Sequence, residues 1–293
     1  MARCLSDEHL KAYKEGGRLK KLFDVIKKDP ELSFEIRQDD EVKVYYHKNL
    51  ILTIALDRKR EPKITILNKG YYKNGKKPTI SFEDPHNLED EKEMKSYFRE
   101  AKKLAYFNKM GAEFIVQQNI ALGNQSYDNR YLVVDMEWQY SKAEIPKEKR
   151  DEIPQTKIDL IVVDTIPNAK GFNDIYLAEL KLGLDATQGK SGTIDHVEKT
   201  NGIIENEKAC KALYEDVTSI IKQKTELELL KGSKKEFHWA AKPKMMLIMF
   251  YRSDDEKEKL ESECKKARQK AMELKMEEPI CILRTALIPL EQP

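Results

Sequence analysis

Asp159, Glu179 and Lys181 are the residues of this chain whose types and spacing can do chemistry. They lie on two short apolar runs, TKIDLIVVDTI and DIYLAELKLG, separated by a turn containing Pro, Asn and Gly. Length and β-branched enrichment mark both runs as strands. Side chains alternate along a strand, so Leu177, Glu179 and Lys181 share one face while Tyr176, Ala178 and Leu180 share the other. A carboxylate and an ammonium on one side of an apolar strand are costly to bury unless they are paired or used. Antiparallel pairing of the two strands brings Asp159 beside them. Two carboxylates then offer the hard oxygens that magnesium prefers, with a cation next to them.

The elements that must position these residues follow from the pattern along the chain. Residues 7–28 read as helix, bent or broken at Gly16-Gly17. ELSFEIR, EVKVYYH, LILTIAL and KITILN then alternate as an antiparallel meander, with Lys48-Asn49 as a tight turn. A polar stretch from Lys73 to Asp90 places a domain boundary near residue 88. Met94, Phe98, Ala101 and Ala105 predict a helix over 89–109. AEFIVQQNIAL and RYLVVDMEWQY are expected as strands, the second with Asp135, Glu137 and Gln139 on its polar side. A charged excursion precedes the Asp159 strand. The loop GLDATQGKSG and a long helix over roughly 194–230 follow Lys181. KPKMMLIMFYR, a helix over 255–276 and PICILRTALI close the chain as strand, helix and strand. This alternation predicts an α/β (α+β) fold with a central sheet flanked by helices. The expected domains are residues 1–88, a helix plus a smaller antiparallel β-rich meander, and residues 89–293.

The spacing of Asp159 before Glu179-Leu180-Lys181, 179 − 159 = 20 positions, resembles the PD-(D/E)XK nuclease superfamily. Its restriction-endonuclease-like fold has the same element order over about 89–252. Ile158 stands where that family's motif carries proline. The resemblance implies that Asp159 and Glu179 hold Mg²⁺, with Mn²⁺ as a substitute, and that Lys181 orients or activates the attacking water. It implies a metal-dependent nuclease hydrolysing phosphodiester bonds, in DNA first of all, in a restriction, repair or defence setting. The alternative it leaves is an inactive nuclease-like fold that binds nucleic acid or serves assembly. Family members often add a carboxylate from the first core helix, and Glu100 is the candidate. Gln188, Lys190 and His196, in the region where related nucleases place glutamine or basic residues, are expected to contact nucleic acid. Lys199 is expected to contact phosphate.

Composition is compatible with this reading. Charged residues make up 35% of 293 and hydrophobic residues 40%, with a net charge of +2, which describes a soluble globular chain and neither demands nor excludes nucleic acid. Cys4, Cys210, Cys264 and Cys281 have no metal-ligand spacing, and no histidine pair has zinc spacing. No apolar run approaches the length of a membrane span and nothing resembles a signal peptide, so a cytoplasmic protein, with a homodimer allowed, is expected. Gly183 and Gly189-Lys190-Ser191 imitate a phosphate-binding loop, but five residues separate the glycines where that loop needs four.

Overall fold

A computed structural model describes residues 3–66, 90–108, 111–140 and 157–285, with the backbone alone at Phe107, Asn108 and Lys190. The chain is mixed α/β and divides into two compact units, one of residues 1–129 and 215–234, the other of residues 130–214 and 235–293. The boundary expected near residue 88 falls outside the described residues. The observed division comes later, between Asn129 and Arg130, and the first unit takes back a segment from far along the chain.

The first unit opens with α1 (Asp7–Ala12) and α2 (Lys20–Lys28), separated at the expected glycine pair. Ser6 caps α1 by accepting the His9 amide. Four antiparallel strands follow in sequential order: β1 (Leu32–Arg37), β2 (Glu41–Tyr46), β3 (Asn49–Leu56) and β4 (Pro62–Ile66). The β2–β3 turn is His47-Lys48, both at positive φ (44° and 61°), one residue earlier than expected. α3 (Glu91–Asn108) buries Met94, Tyr97, Phe98, Ala101 and Ala105. Tyr97 hydroxyl donates to the Ile51 carbonyl, and Lys102 Nζ reaches both oxygens of Asp29 at 2.6 and 2.7 Å. These contacts place α3 with the N-terminal sheet.

Residues 112–123 are a helix, α4 (Ala112–Gly123), where a strand was expected. An apolar run this short does not distinguish the two by pattern, and tertiary bonding decides. Gln118 is fully buried; its amide donates to the Glu31 carbonyl at 2.6 Å and its oxygen accepts the Lys48 amide at 2.8 Å. Glu113 in the first turn complements the helix dipole.

A buried ion cluster crosses the first unit. Lys224 Nζ lies 2.9 Å from Glu35 Oε2, both residues 1% exposed, and Ser33 donates to Oε1 at 2.5 Å. Such a pair is tolerated because the remaining lone pairs are also bonded.

The second unit contains one mixed five-stranded sheet in sequential order: β5 (Tyr131–Trp138), β6 (Ile158–Asp164), β7 (Ile175–Leu182), β8 (Lys244–Tyr251) and β9 (Ile280–Thr285). The first two pairings are antiparallel and the last two parallel. Parallel pairing requires long crossovers. Between β7 and β8 these are two 3₁₀ turns (Leu184–Thr187 and Gly189–Ser191), α5 (Thr193–Ile204) and α6 (Glu207–Glu226), the last of which continues into the first unit; between β8 and β9 it is α7 (Asp254–Glu273). The single long helix expected over 194–230 is thus two. Asn206 accepts the Ala209 amide at 2.9 Å and starts α6, which is why the helix breaks there.

Candidate metal-binding and catalytic site

β6 and β7 pair only from Val163↔Ile175 to Leu160↔Ala178. Beyond that point β6 stays with β5 through Ile158↔Trp138, while β7 runs on beside β8 to Leu182. The two strands therefore part at Asp159 and Glu179. The amide of Leu180, which an unbroken ladder would have bonded to backbone, donates to Asp159 Oδ2 at 2.9 Å. This charge-assisted bond ties the carboxylate to the neighbouring strand.

Glu179 and Lys181 share the face that alternation assigns them. Lys181 Nζ donates to Glu179 Oε1 and to the Ser191 carbonyl, both at 2.8 Å. His196, in the first turns of α5, puts Nδ1 3.1 Å from Glu179 Oε2, at ion-pair distance but off the hydrogen-bond angle. Asp159, Glu179, Lys181 and His196 are 8%, 6%, 5% and 9% exposed. Two carboxylates, an ammonium and an imidazole are thus gathered in a largely dry place. There charge interactions are stronger than in water, and unpaired charge is expensive.

The turn after Lys181 is held by glycines. Gly183 has φ +85°, which an L side chain rarely adopts. A Cβ at Gly192 would lie 2.5 Å from the Thr187 carbonyl oxygen, so only glycine permits that close approach. Glu256 of α7 accepts the Leu184 amide at 3.0 Å and the Arg252 amide at 2.7 Å, and these bonds hold its pKa below the usual carboxylate value.

Of the other expected site residues, Gln188 is exposed in the link between the two 3₁₀ turns. Lys190 lies on the second turn, and its side chain is outside the described residues. Lys199 bonds Asp195 one helical turn earlier at 2.6 Å. Glu100 belongs to α3 of the first unit; its side chain is 43% exposed and pairs with Lys103 at 3.8 Å. The buried stripe of α3 explains its exposure, since at 100° per residue Glu100 sits about 120° around from the centre of that stripe. The charged segment 142–150 lies outside the described residues.

Two contributors escaped the sequence reading. The Ser191 carbonyl is backbone and carries no residue signal. Asp135 was placed on a polar face, yet it is 1% exposed and pairs with Ile161, which puts it on the Asp159 face of the sheet. A register shift between Val133 and Asp135 breaks the alternation there.

The donor set of Asp159 and Glu179 consists of carboxylate oxygens, which suits magnesium or manganese. Among the described residues no three His, Cys, Asp or Glu side chains are arranged as a ready cation site, because Lys181 and His196 already face the two oxygens of Glu179. Among the same residues no helix is long and apolar enough to cross a membrane. Compared with known proteins, the chain matches no family model, no curated protein and no solved structure.

Proposed function

We propose that this protein is a metal-dependent nuclease of the PD-(D/E)XK type, with a restriction-endonuclease-like second unit, hydrolysing phosphodiester bonds in DNA. The observation that carries the reading is the parting of β6 and β7 at Asp159 and Glu179 with Lys181 on the same face. The sheet supports it, with two antiparallel pairings before β7 and a helical crossover to a parallel β8 after it.

In this reading Asp159 and Glu179 hold Mg²⁺ or Mn²⁺, which when bound lowers the pKa of water and offsets charge on the scissile phosphate. The Leu180 amide keeps the Asp159 carboxylate in place. Lys181 Nζ, released from Glu179, turns to the attacking water and to the charge that grows on the phosphate oxygens. Water oxygen bonds to phosphorus and gives up a proton, the bond to the leaving oxygen breaks, and that oxygen takes up a proton, so that none is gained or lost overall. His196 Nδ1 stands 3.1 Å from the second oxygen of Glu179. Gln188, Lys190 and Lys199 supply contacts along the backbone of the bound strand.

The test is cleavage of labelled DNA and RNA of several shapes with Mg²⁺ or Mn²⁺, by the native chain and by Asp159→Ala and Glu179→Ala. Cleavage of DNA abolished in both variants, with far-UV circular dichroism unchanged, is the expected result. Equal cleavage by either variant would remove the assignment. The full engagement of Glu179 by Lys181 and His196 favours one second reading, an inactive fold that binds nucleic acid. That reading predicts metal-independent DNA binding with no cleavage under any of these conditions.

A further inference from the structure

β9 is the last strand of the second sheet, and its Cys281 pairs with Leu247 of β8. Leu247 and Met249 share a face, so Cys281 points to the side of the sheet on which Met249 lies. α7 covers that side. Its Cys264 donates to Met249 Sδ at 3.8 Å, and Cys281 donates to the Pro279 carbonyl at 3.9 Å. Two cysteines from different elements therefore lie on the same side of the sheet around Met249, and neither is in a disulfide. We propose that Cys264 and Cys281 form a modification site at which peroxide reversibly joins α7 to β9 through a disulfide.

The two thiols are unlike in the way such chemistry requires. Cys281 is half-buried on an edge strand, whereas Cys264 is buried. The neighbouring Cys264 thiol lowers the pKa of Cys281, with Arg268 adding to the effect against burial. Cys264 is raised by the neighbouring Cys281 and by burial. Cys281 is thus the attacking thiolate and Cys264 the resolving thiol. The Cys281 thiolate attacks one oxygen of hydrogen peroxide, the O–O bond breaks, and hydroxide leaves as water after taking a proton. The product is a sulfenic acid on Cys281. Cys264 sulfur attacks that sulfur, the S–O bond breaks, the Cys264 proton leaves with the departing hydroxide as a second water, and the S–S bond forms. Two thiols have lost two electrons and one peroxide has gained them. Cys4 and Cys210 provide a contrast within the chain. Cys210 is buried against the carbonyls of Ile203 and Ile204 at 3.5 and 3.2 Å, and burial pushes its thiol up to about 11. Burial raises Cys4 as well.

The experiment treats the native full chain with excess hydrogen peroxide, quenches it, and maps tryptic peptides by mass spectrometry without reductant. Expected is a cross-linked peptide joining Cys264 to Cys281, lighter by two hydrogens and reopened by dithiothreitol. Cys281 should disappear roughly tenfold or more faster than Cys210. Cys264→Ser should stop at a sulfenic acid that dimedone traps on Cys281, and Cys281→Ser should give no cross-link. Direct passage of Cys281 to sulfinic acid in the native chain, or loss of Cys4 or Cys210 as fast as Cys281, would overturn the proposal.

Discussion

Replacing Lys181 by methionine separates the ammonium from the stem that packs on β7. In the native chain Lys181 Nζ is 2.8 Å from Glu179 Oε1 and both residues are nearly inaccessible to water. With an effective dielectric of about 20 the gross attraction at that distance is about 6 kcal/mol. Removing one partner of a buried pair typically destabilises by about 3–5 kcal/mol, because the other charge is left behind. His196, 3.1 Å from the second oxygen, takes up part of that, so a loss of about 2–3 kcal/mol is expected. Tryptophan fluorescence in urea reads it directly, since Trp138 and Trp239, the two tryptophans of the chain, both lie in the second unit. Magnesium supplies the sharper measurement. On the proposed reading a divalent ion entering the native chain displaces the ammonium from Glu179, whereas in Lys181→Met it need not. Stabilisation by a bound ion grows as RT ln(1 + [L]/Kd), so a tenfold tighter site adds about 1.4 kcal/mol at saturating Mg²⁺. The variant should therefore gain more from Mg²⁺ than the native chain, while turnover falls by about two to four orders of magnitude. Equal urea midpoints, an equal Mg²⁺ effect and activity within a few-fold would refute this account of the pair.

Three further outcomes are expected. Lys190→Ala should weaken DNA binding modestly and flatten its salt dependence by about one unit of slope; isothermal titration of the native chain with ATP or GTP and Mg²⁺ should show no binding, and tight binding lost in the variant would point to a nucleotide site instead. Gly183→Ala forces a side chain to φ +85° with its Cβ 3.1 Å from Arg252 and Glu256, which should lower the stability of the second unit by about 1–2 kcal/mol in urea. His9 is buried between Tyr13 and Asp40, and burial lowers its pKa. The unfolded chain then binds the extra proton more readily, so this stability is present above about pH 6.5 and declines as pH falls through the folded value. Circular dichroism melts of His9→Gln should show a shallower decline from about pH 7 to pH 5 than those of the native chain.

Much of this architecture was legible because its signals are local. Alternation along ELSFEIR to KITILN marks four strands, and the structure has four there. The buried runs around Asp159 and Glu179 are strands because their length and β-branching leave little else. What escaped reading depends on distant partners. α4 is a helix because Gln118 finds the Glu31 carbonyl and the Lys48 amide, and nothing within AEFIVQQNIAL announces them. Asp135 is buried because both faces of β5 and β6 are covered there, Leu160 and Ile161 alike being inaccessible, and nothing within RYLVVDMEWQY announces that cover. Lys181 is completed by the Ser191 carbonyl, a backbone group that any residue type would have supplied.

The bond between Lys224 and Glu35 spans 189 positions, and that span sets a timetable for synthesis. At about 5–20 residues per second, a ribosome releases the partner of Glu35 roughly 10–40 s after the carboxylate itself emerges. Arg3 waits as long for Asp216, and the backbone of Leu5 for Gln223. Throughout that interval the Glu35 carboxylate has Arg37 of its own strand, at 3.9 Å in the folded chain, but not the closer Lys224. The strands β5, β6 and β7 are translated before the first unit receives its last segment. A nascent chain halted after Asn129 is therefore not a finished domain, and the first unit matures by recruiting a stretch of α6 made long after its own sheet.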